Sequence, residues 1–465
     1  MPRDIDPQEV FGWVTVDNMA WLTDLYELTM ADSLFRQRRN DWATYDLFVR
    51  RLPTGRSFLV AAGLAQALLY LRDMRFSEEG LEHLAGVRCL TSGFLDYLRT
   101  FKFTGDVWAL PEGEIYFPPE PILRIAGPRI EVQVVESFLL NTFNAQSMWA
   151  SKAARMTLAA EGRAVIDMSL RRDHGMDAAM KVARASYLAG AAGTSNVLAG
   201  QMFGIPTYGT LAHAYIMSFD HELDAFRAFA QDCPTNVILL IDTYDTLRGA
   251  DHAIIVGREM AARGEKLRGV RIDSGDLVAL SQGVRARLDA AGFNDVRILL
   301  SGDLDEYQMR NLLQQGAAVD SFGVGTNLGT SPDDPSLGAV YKLVEDPAGP
   351  RAKLSTGKAT LPGSKQVWRH FTPAGTMERD VIALASEAGP PGAQPLLQHV
   401  MAKGEIVADI PSLGRSRDFC KQRLAQLPPA LKGLDDNHTY PVDISPALEA
   451  LRAQAYAAAA KQGAS

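Results

Sequence analysis

Cysteine is scarce: Cys89, Cys233 and Cys420 are the only three in 465 residues, and they form no CxxC pair and no cluster with histidine. Such spacing excludes a disulfide framework and structural zinc, and it suits a reducing cytoplasm. Basic residues are outnumbered, 47 Lys and Arg against 55 Asp and Glu, for a formal net charge of −8. That balance excludes nucleic-acid backbone as the main partner but leaves room for a local basic site that takes a small polyphosphate. No apolar run approaches the roughly 18 residues of a membrane span. The opening stretch, Met-Pro-Arg-Asp-Ile-Asp-Pro-Gln-Glu, has neither the basic start nor the apolar core of an export signal. The expectation is a soluble cytoplasmic protein that engages neither membrane nor nucleic acid. Nucleotide signatures are missing too, with no GxxxxGK(S/T) P-loop and no GxGxxG to mark a dinucleotide crevice.

What is present is ordinary globular material, 47% hydrophobic and 22% charged, enough for two or three domains. Trp21 to Phe35 carries apolar residues at helical spacing, with Thr23 or Asp24 as N-cap and Tyr26 in the first turn. Thr44 to Arg51 alternates as a strand, Tyr45, Leu47 and Val49 against Asp46, Phe48 and Arg50, and Arg50-Arg51 at its end is either an anion contact or a solvated edge. Residues 58 to 103 read as helical. Residues 104 to 130, rich in Gly and Pro, read as a small curled sheet, and a single long helix is expected from about Glu131 to Glu161.

From Ala164 the rhythm becomes regular. Short apolar runs begin at Ala164, near Gly193, near Pro206, and at Val237, Leu267, Val296 and Val319, with helical segments such as Asp245 to Glu265, Asp276 to Ala291 and Leu304 to Gln315 between them. Alternating β and α with continuously apolar strands predicts an α/β parallel sheet, closed or nearly closed into a TIM-like barrel. Reactive groups then belong at the carboxyl ends of the strands. Standing there are Arg171-Arg172-Asp-His-Gly, Gly193-Thr-Ser-Asn196, Gly209-Thr-Leu-Ala-His213, Asp242-Thr-Tyr-Asp245, Arg271-Ile-Asp-Ser-Gly-Asp276, Ser301-Gly-Asp303 and Gly323-Val-Gly-Thr326.

Those residue types suit a metal-bound polyphosphate. Asp242, Asp273 and Asp303 are hard oxygen ligands for Mg²⁺, Arg171, Arg172 and Arg271 take phosphate or carboxylate, and Gly302, Gly323 and Gly325 offer backbone N–H groups to phosphate oxygens. Each acid taken alone reads sooner as a helix N-cap or helix-start charge. It is the repetition of polar rim segments that favours a site. His213, expected in the first turn of a helix after the break at Gly209, sits where free N–H groups and the helix dipole favour an anion, so it can hold or become a phosphorylated group. Its plain alternative is a hydrogen-bonded structural histidine.

Leu22-Thr-Asp-Leu-Tyr-Glu-Leu-Thr-Met30, Phe48-Val-Arg-Arg-Leu-Pro53, Ser195-Asn-Val-Leu-Ala-Gly200, Gly209-Thr-Leu-Ala-His213, Val270-Arg-Ile-Asp-Ser-Gly-Asp276, Gly323-Val-Gly-Thr326, Val340-Tyr-Lys-Leu-Val344 and Thr360-Leu-Pro-Gly-Ser-Lys365 together resemble the nicotinate phosphoribosyltransferase family. They run in the family's order over nearly the whole chain. The resemblance implies a type II phosphoribosyltransferase fold: an N-terminal α+β domain over 1–130, a catalytic barrel over 131–340, and a C-terminal segment over 341–465 that packs on the N-terminal part to make an open-faced sandwich. It also implies a cytoplasmic enzyme of NAD salvage. Nicotinate and 5-phosphoribosyl 1-diphosphate would give nicotinate mononucleotide and diphosphate, with Mg²⁺ as cofactor and ATP hydrolysed as co-substrate.

By the same resemblance His213 is the transiently phosphorylated histidine, Tyr26 stacks on the pyridine ring in a site shared between two subunits of a homodimer, Thr210 and Arg271 contact nicotinate, and Thr326 contacts a phosphate. Nicotinamide-using relatives place an aspartate where Ser195 stands here, so the resemblance favours the carboxylate substrate over the amide. Two other functions compete: a nicotinamide-specific transferase, and a non-catalytic barrel that binds a phosphorylated metabolite. An aldolase-like barrel would need a lysine at a strand's carboxyl end, and the runs from 237, 267, 296 and 319 end in Asp, Ser or Gly.

Overall fold

The computed structural model describes residues 12–86, 89–354, 360–434 and 438–462. Six parallel strands form one sheet in the order Gly193–Thr194, Ala164–Asp167, Ser321–Val324, Arg297–Leu300, Leu267–Ile272, Val237–Leu240. The sheet curls as a TIM-like barrel does, but its two end strands do not pair with each other. A seventh strand was expected near Pro206; that run instead makes a single bridge, Thr194 to Thr207. Pro206 has no N–H to give, so its carbonyl accepts from Thr194 N and Tyr208 N donates to Thr194 O, and the ladder stops there.

Helices cover the outside of this sheet. Thr246–Ala262 turns Ala250, Ala253, Val256 and Met260 inward, and it packs so close that a Cβ on Gly249 would lie 2.2 Å from Ile241 O. Acidic caps start three of the helices: Asp245 accepts from Arg248 N, Asp276 accepts from Val278 N and Ala279 N, and Asp305 forms a capping box with Gln308. These cap positions lie two or three residues beyond Asp242, Asp273 and Asp303. The capping role is therefore already filled, and those three acids are left to the rim.

The second body interleaves the two ends of the chain. Its seven-stranded sheet seats Trp42–Val49 between Pro121–Pro128 and Ala339–Asp346, both antiparallel to it, and adds Asp106–Ala109 and Gln398–Ala402 beyond. Trp42–Val49 does not alternate as predicted: Asp46 and Phe48 are buried as well as Leu47 and Val49. Both faces are covered, and the buried Asp46 carboxylate is paired by Lys365 Nζ at 2.7 Å. The long helix expected over 131–161 is two, Arg129–Val134 and Glu136–Ala159, meeting at Val135. The final helix, Pro446–Gln462, packs on Met377–Leu384 of a separate four-stranded sheet, and its Arg452 and Tyr456 line a pocket together with Asp46 and Phe48 of Trp42–Val49.

A buried ionic network joins the N-terminal and C-terminal segments. Arg369 is fully buried and donates to both Asp380 oxygens, to Glu114 Oε1 at 2.7 Å and to Ile115 O, while Arg423 Nε reaches Glu114 Oε2 at 2.9 Å. Burial and the neighbouring Asp380 hold the Glu120 carboxyl well above its usual value. Beside it the Asp380 and Glu114 carboxyl groups face the Arg369 and Arg423 guanidiniums. Removing one member leaves a buried charge without its partner, which typically costs about 3–5 kcal/mol. Arg369→Met is therefore expected to lower the urea midpoint by a stability loss of about 3 kcal/mol or more; a loss under about 1 kcal/mol would mean that the network behaves like a solvated surface pair.

Candidate active site

The centre of the rim is Arg271, next to last in its strand and mostly shielded, with 13% of its side chain exposed. Its Nε donates to Ser301 Oγ at 2.8 Å, Nη1 to Thr210 Oγ1 at 3.0 Å and Nη2 to Asp273 Oδ1 at 2.6 Å. Three of the five guanidinium N–H groups are thus used inside the protein, and one remains on each terminal nitrogen for a planar acceptor. Burial alone would raise the Asp273 carboxyl, but the Ser301 hydroxyl and the Arg271 guanidinium outweigh it and hold it below its usual value. Asp273 is therefore a carboxylate in the working range.

His213 is the first residue of a one-turn helix, His213–Met217, as the sequence predicts. Its Nδ1 lies 3.1 Å from Thr243 Oγ1, and its Nε2 faces Asp242 Oδ1 at 3.8 Å and Asp273 Oδ2 at 4.0 Å. The ring is neither sealed in nor stranded; 39% of the side chain is exposed. Asp242 is held through Oδ2, which accepts from Asp273 N and Ser274 Oγ. Its Oδ1 is buried with no hydrogen-bond partner. A buried carboxylate oxygen left open beside a histidine is a place for a cation or a donor on a ligand.

The predicted acids gather as a pair and a single. Asp242 and Asp273 face one imidazole, while Asp303 is exposed with φ +48° and meets Thr326 Oγ1 at 3.4 Å. Among the described residues no group of three or more His, Cys, Asp or Glu stands ready to hold a metal ion. Gly302 is needed for its shape, with φ +107° and an added Cβ only 2.2 Å from Asp273 O. Gly323 lies against Met168, and Gly325 caps the short helix Thr326–Gly329.

Arg171 and Arg172 stand exposed on the turn after Ala164–Asp167, on the same carboxyl-end rim. Ser195 is half-buried after Gly193–Thr194, its N–H donating to Asp167 O. Tyr26 lies apart, 48% exposed on helix Leu25–Arg36, which packs on the helices Ser92–Arg99 and Arg129–Val134; no hydrogen bond joins it to the rim. Thr243, Ser274 and Ser301, whose hydroxyls contact His213, Asp242, Arg271 and Asp273, are the members of this cluster that sequence reasoning did not single out. They lie inside the polar rim segments, and what marks them is a hydroxyl next to a strand-end acid. Arg50 and Arg51 line a cleft of about 700 Å³ together with Asp333 and Ser336, and Arg50 Nε is buried without a partner, so this strand end is more than a solvated edge.

Three family models match the chain in order: the nicotinate phosphoribosyltransferase (NAPRTase) N-terminal domain over residues 21–144, the NAPRTase family over 164–344 and the NAPRTase C-terminal domain over 390–452. Nicotinate phosphoribosyltransferase pncB2 of Mycobacterium tuberculosis is 46% identical over 428 residues, covering 92% of this chain and 91% of that protein. The Bacillus subtilis nicotinate phosphoribosyltransferase is 37% identical over 462 residues, covering 92% and 93%. The crystal structure of human nicotinic acid phosphoribosyltransferase superposes with a TM-score of 0.84 at 32% identity, covering 93% of this chain and 99% of that one. Order along the chain and fold agree with these matches, and the chain belongs to the nicotinate phosphoribosyltransferase family.

Proposed function

We propose that this chain joins nicotinate to 5-phosphoribosyl 1-diphosphate, giving nicotinate mononucleotide and diphosphate, and couples the reaction to ATP hydrolysis through a phosphohistidine at His213. The observation that carries the reading is Arg271, braced by Thr210, Ser301 and Asp273 beside His213 with an N–H left on each terminal nitrogen. A carboxylate fits that pair of donors as two parallel charge-assisted hydrogen bonds. Ser195 brings no negative charge to oppose it. With the ring held by its carboxylate, the pyridine nitrogen lone pair attacks the ribose C1. The bond from C1 to the diphosphate oxygen breaks, and diphosphate leaves with the electron pair.

Arg171, Arg172, Thr326 and the N–H groups of the Gly302, Gly323 and Gly325 loops are suited to the phosphate oxygens. The open Asp242 Oδ1 and the neighbouring Asp273 are the groups that would hold a Mg²⁺ ion, which would supply charge neutralisation to the departing diphosphate. His213 Nε2, which faces both carboxylates, takes the γ-phosphoryl group of ATP and passes it to water. While phosphorylated it adds about two negative charges to the pocket, altering affinity for diphosphate and substrate.

Tyr26 covers the ring only if a second copy supplies it. Two exposed apolar faces support such a homodimer: Val197 (73% exposed), Leu198 and Met202 beside the rim, and Leu22, Leu25 and Met30 around Tyr26. The absence, among the described residues, of any helix long and apolar enough to cross a membrane, and three free cysteines, accord with a cytoplasmic setting.

The basic test is incubation with nicotinate, 5-phosphoribosyl 1-diphosphate and Mg²⁺, with and without ATP, reading mononucleotide by chromatography; no product under any condition would sink the proposal. Arg271→Lys keeps the charge but loses the fork. It is expected to lower kcat/KM for nicotinate by about a hundredfold, roughly 2–3 kcal/mol, while the small rate with nicotinamide changes little; equal losses for both pyridines would show that Arg271 does not read the carboxylate. His213→Ala is expected to keep slow nicotinate transfer but to lose ATP coupling. The ratio of ADP to mononucleotide measures this, and an unchanged ratio in the variant refutes the phosphohistidine.

A further inference from the structure

The turn that presents Arg171 and Arg172 is folded around two carboxyl groups that share one hydroxyl. Asp167 is 2% exposed, and its Oδ1 accepts from Ser169 N at 2.9 Å and from Ser169 Oγ at 2.6 Å; its Oδ2 takes the Thr194 hydroxyl at 2.7 Å. The same Ser169 Oγ, fully buried, lies 3.1 Å from Asp173 Oδ2. A hydroxyl has a single proton to donate. If Asp167 takes it at the shorter distance, the contact with Asp173 is favourable only when Asp173 carries a proton of its own and donates it to Ser169 Oγ.

The surroundings of Asp173 offer no other relief. Its Oδ1 is buried without a hydrogen-bond partner. It lies directly on Gly329, where a Cβ would come within 1.8 Å of it, and Gly329 ends the short helix that begins at Thr326. Trp149 Nε1 fixes that helix from the other side by donating to Gly329 O at 2.9 Å. The charged groups acting on Asp173 are Asp167 from the strand behind it and His174 on its own turn. The Thr-Asn-Leu-Gly helix brings no charge, and among the described residues no ion pair joins Arg171 or Arg172 to either acid.

We propose that Asp173 is a positioning residue whose proton closes the 168–175 turn onto the Thr326–Gly329 helix, so that its protonation state governs how Arg171 and Arg172 are held toward the phosphate of a ligand. With the proton in place the chain runs Asp173 O–H to Ser169 Oγ and Ser169 O–H to Asp167 Oδ1. When the proton leaves Asp173 for bulk water, two carboxylates oppose each other across one hydroxyl and the turn loosens.

Burial, then the charge of Asp167, raise the Asp173 carboxyl from its ordinary 3.8 to about 6, against the pull of Ser169 and His174; burial raises the Asp167 carboxyl too, but the Ser169 and Thr194 hydroxyls and the Ser169 N–H donate to it and favour its ionised form. A raised acid stabilises the closed turn in its protonated form. That stabilisation is full below the ordinary value and is lost as pH rises through about 6. The role toward the phosphoribosyl substrate rests on the function proposed above; the response of the turn to pH does not.

Hydrogen exchange tests the turn directly, read as protection factors for the Arg172 and Asp173 amides, both of which bond to Ser169 O. In the native protein, protection is expected to fall by at least about tenfold, the equivalent of one pKa unit, between pH 5 and pH 7.5. In Asp173→Asn, which cannot ionise and can still donate to Ser169, it is expected to stay flat.

Calorimetric titration with inorganic diphosphate across the same range reads the arginines, with the variant cancelling the probe's own titration. The native affinity should weaken relative to the variant as pH rises. A flat native exchange profile, or one shared by the variant, overturns the proposal; a responding turn with parallel diphosphate affinities overturns the positioning of the arginines. If the Asn variant does not fold, the native pH course still decides. Neither arm requires turnover, so failure here is separable from failure of the proposed reaction.

Discussion

Arg271 ties together pieces of the chain that are otherwise independent. Its Nε, Nη1 and Nη2 reach Ser301, Thr210 and Asp273, which come from three different loops. A long side chain ordinarily loses considerable rotamer freedom when a ligand fixes it. Here the protein has already fixed it, and the ligand meets a guanidinium that is oriented in advance. Asp273, held ionised by the same contact, turns its other oxygen toward His213, so one ion pair sets both the pocket's cation and the face of its imidazole.

Support for this arrangement comes from a division of labour among acids. Asp245, Asp276 and Asp305 cap the helices that leave the rim, which lets Asp242, Asp273 and Asp303 point elsewhere. Two of those three converge, because Asp242 Oδ2 accepts from the backbone N–H of Asp273 and so locks neighbouring strand ends in register. The third is carried by Gly302 into a left-handed turn and faces Thr326 instead. The same sequence pattern, an acid at a strand end followed shortly by another, thus serves two purposes at adjacent positions.

The second body solves a different problem. Strands from both ends of the chain lie together here, and packing the four-stranded sheet against the N-terminal strands buries charged side chains that the intervening barrel residues separate by hundreds of positions. Asp46 with Lys365 and the cluster around Arg369 are the outcome. Such pairs contribute little net stability over apolar residues, yet they penalise every register that leaves one charge alone. They specify how the C-terminal strands dock, and through Trp42–Val49 they fix where Arg50 and Arg51 emerge.

Much of this was readable from the residues in order. The β/α rhythm, the polar segments ending each strand, the helix start at His213 and the helix caps all follow from periodicity and turn chemistry, which act over a few neighbouring residues. Other features were not readable. The run at Pro206 stops at a single bridge because proline has no N–H to extend the ladder beside Gly193–Thr194; Trp42–Val49 is buried on both faces, with a distant lysine paired to its Asp46; and Asp242 joins Asp273 while Asp303 does not. Each of these depends on which segments lie side by side after folding. A local pattern states what a residue can bond to, and only the packing of remote segments selects the partner it has.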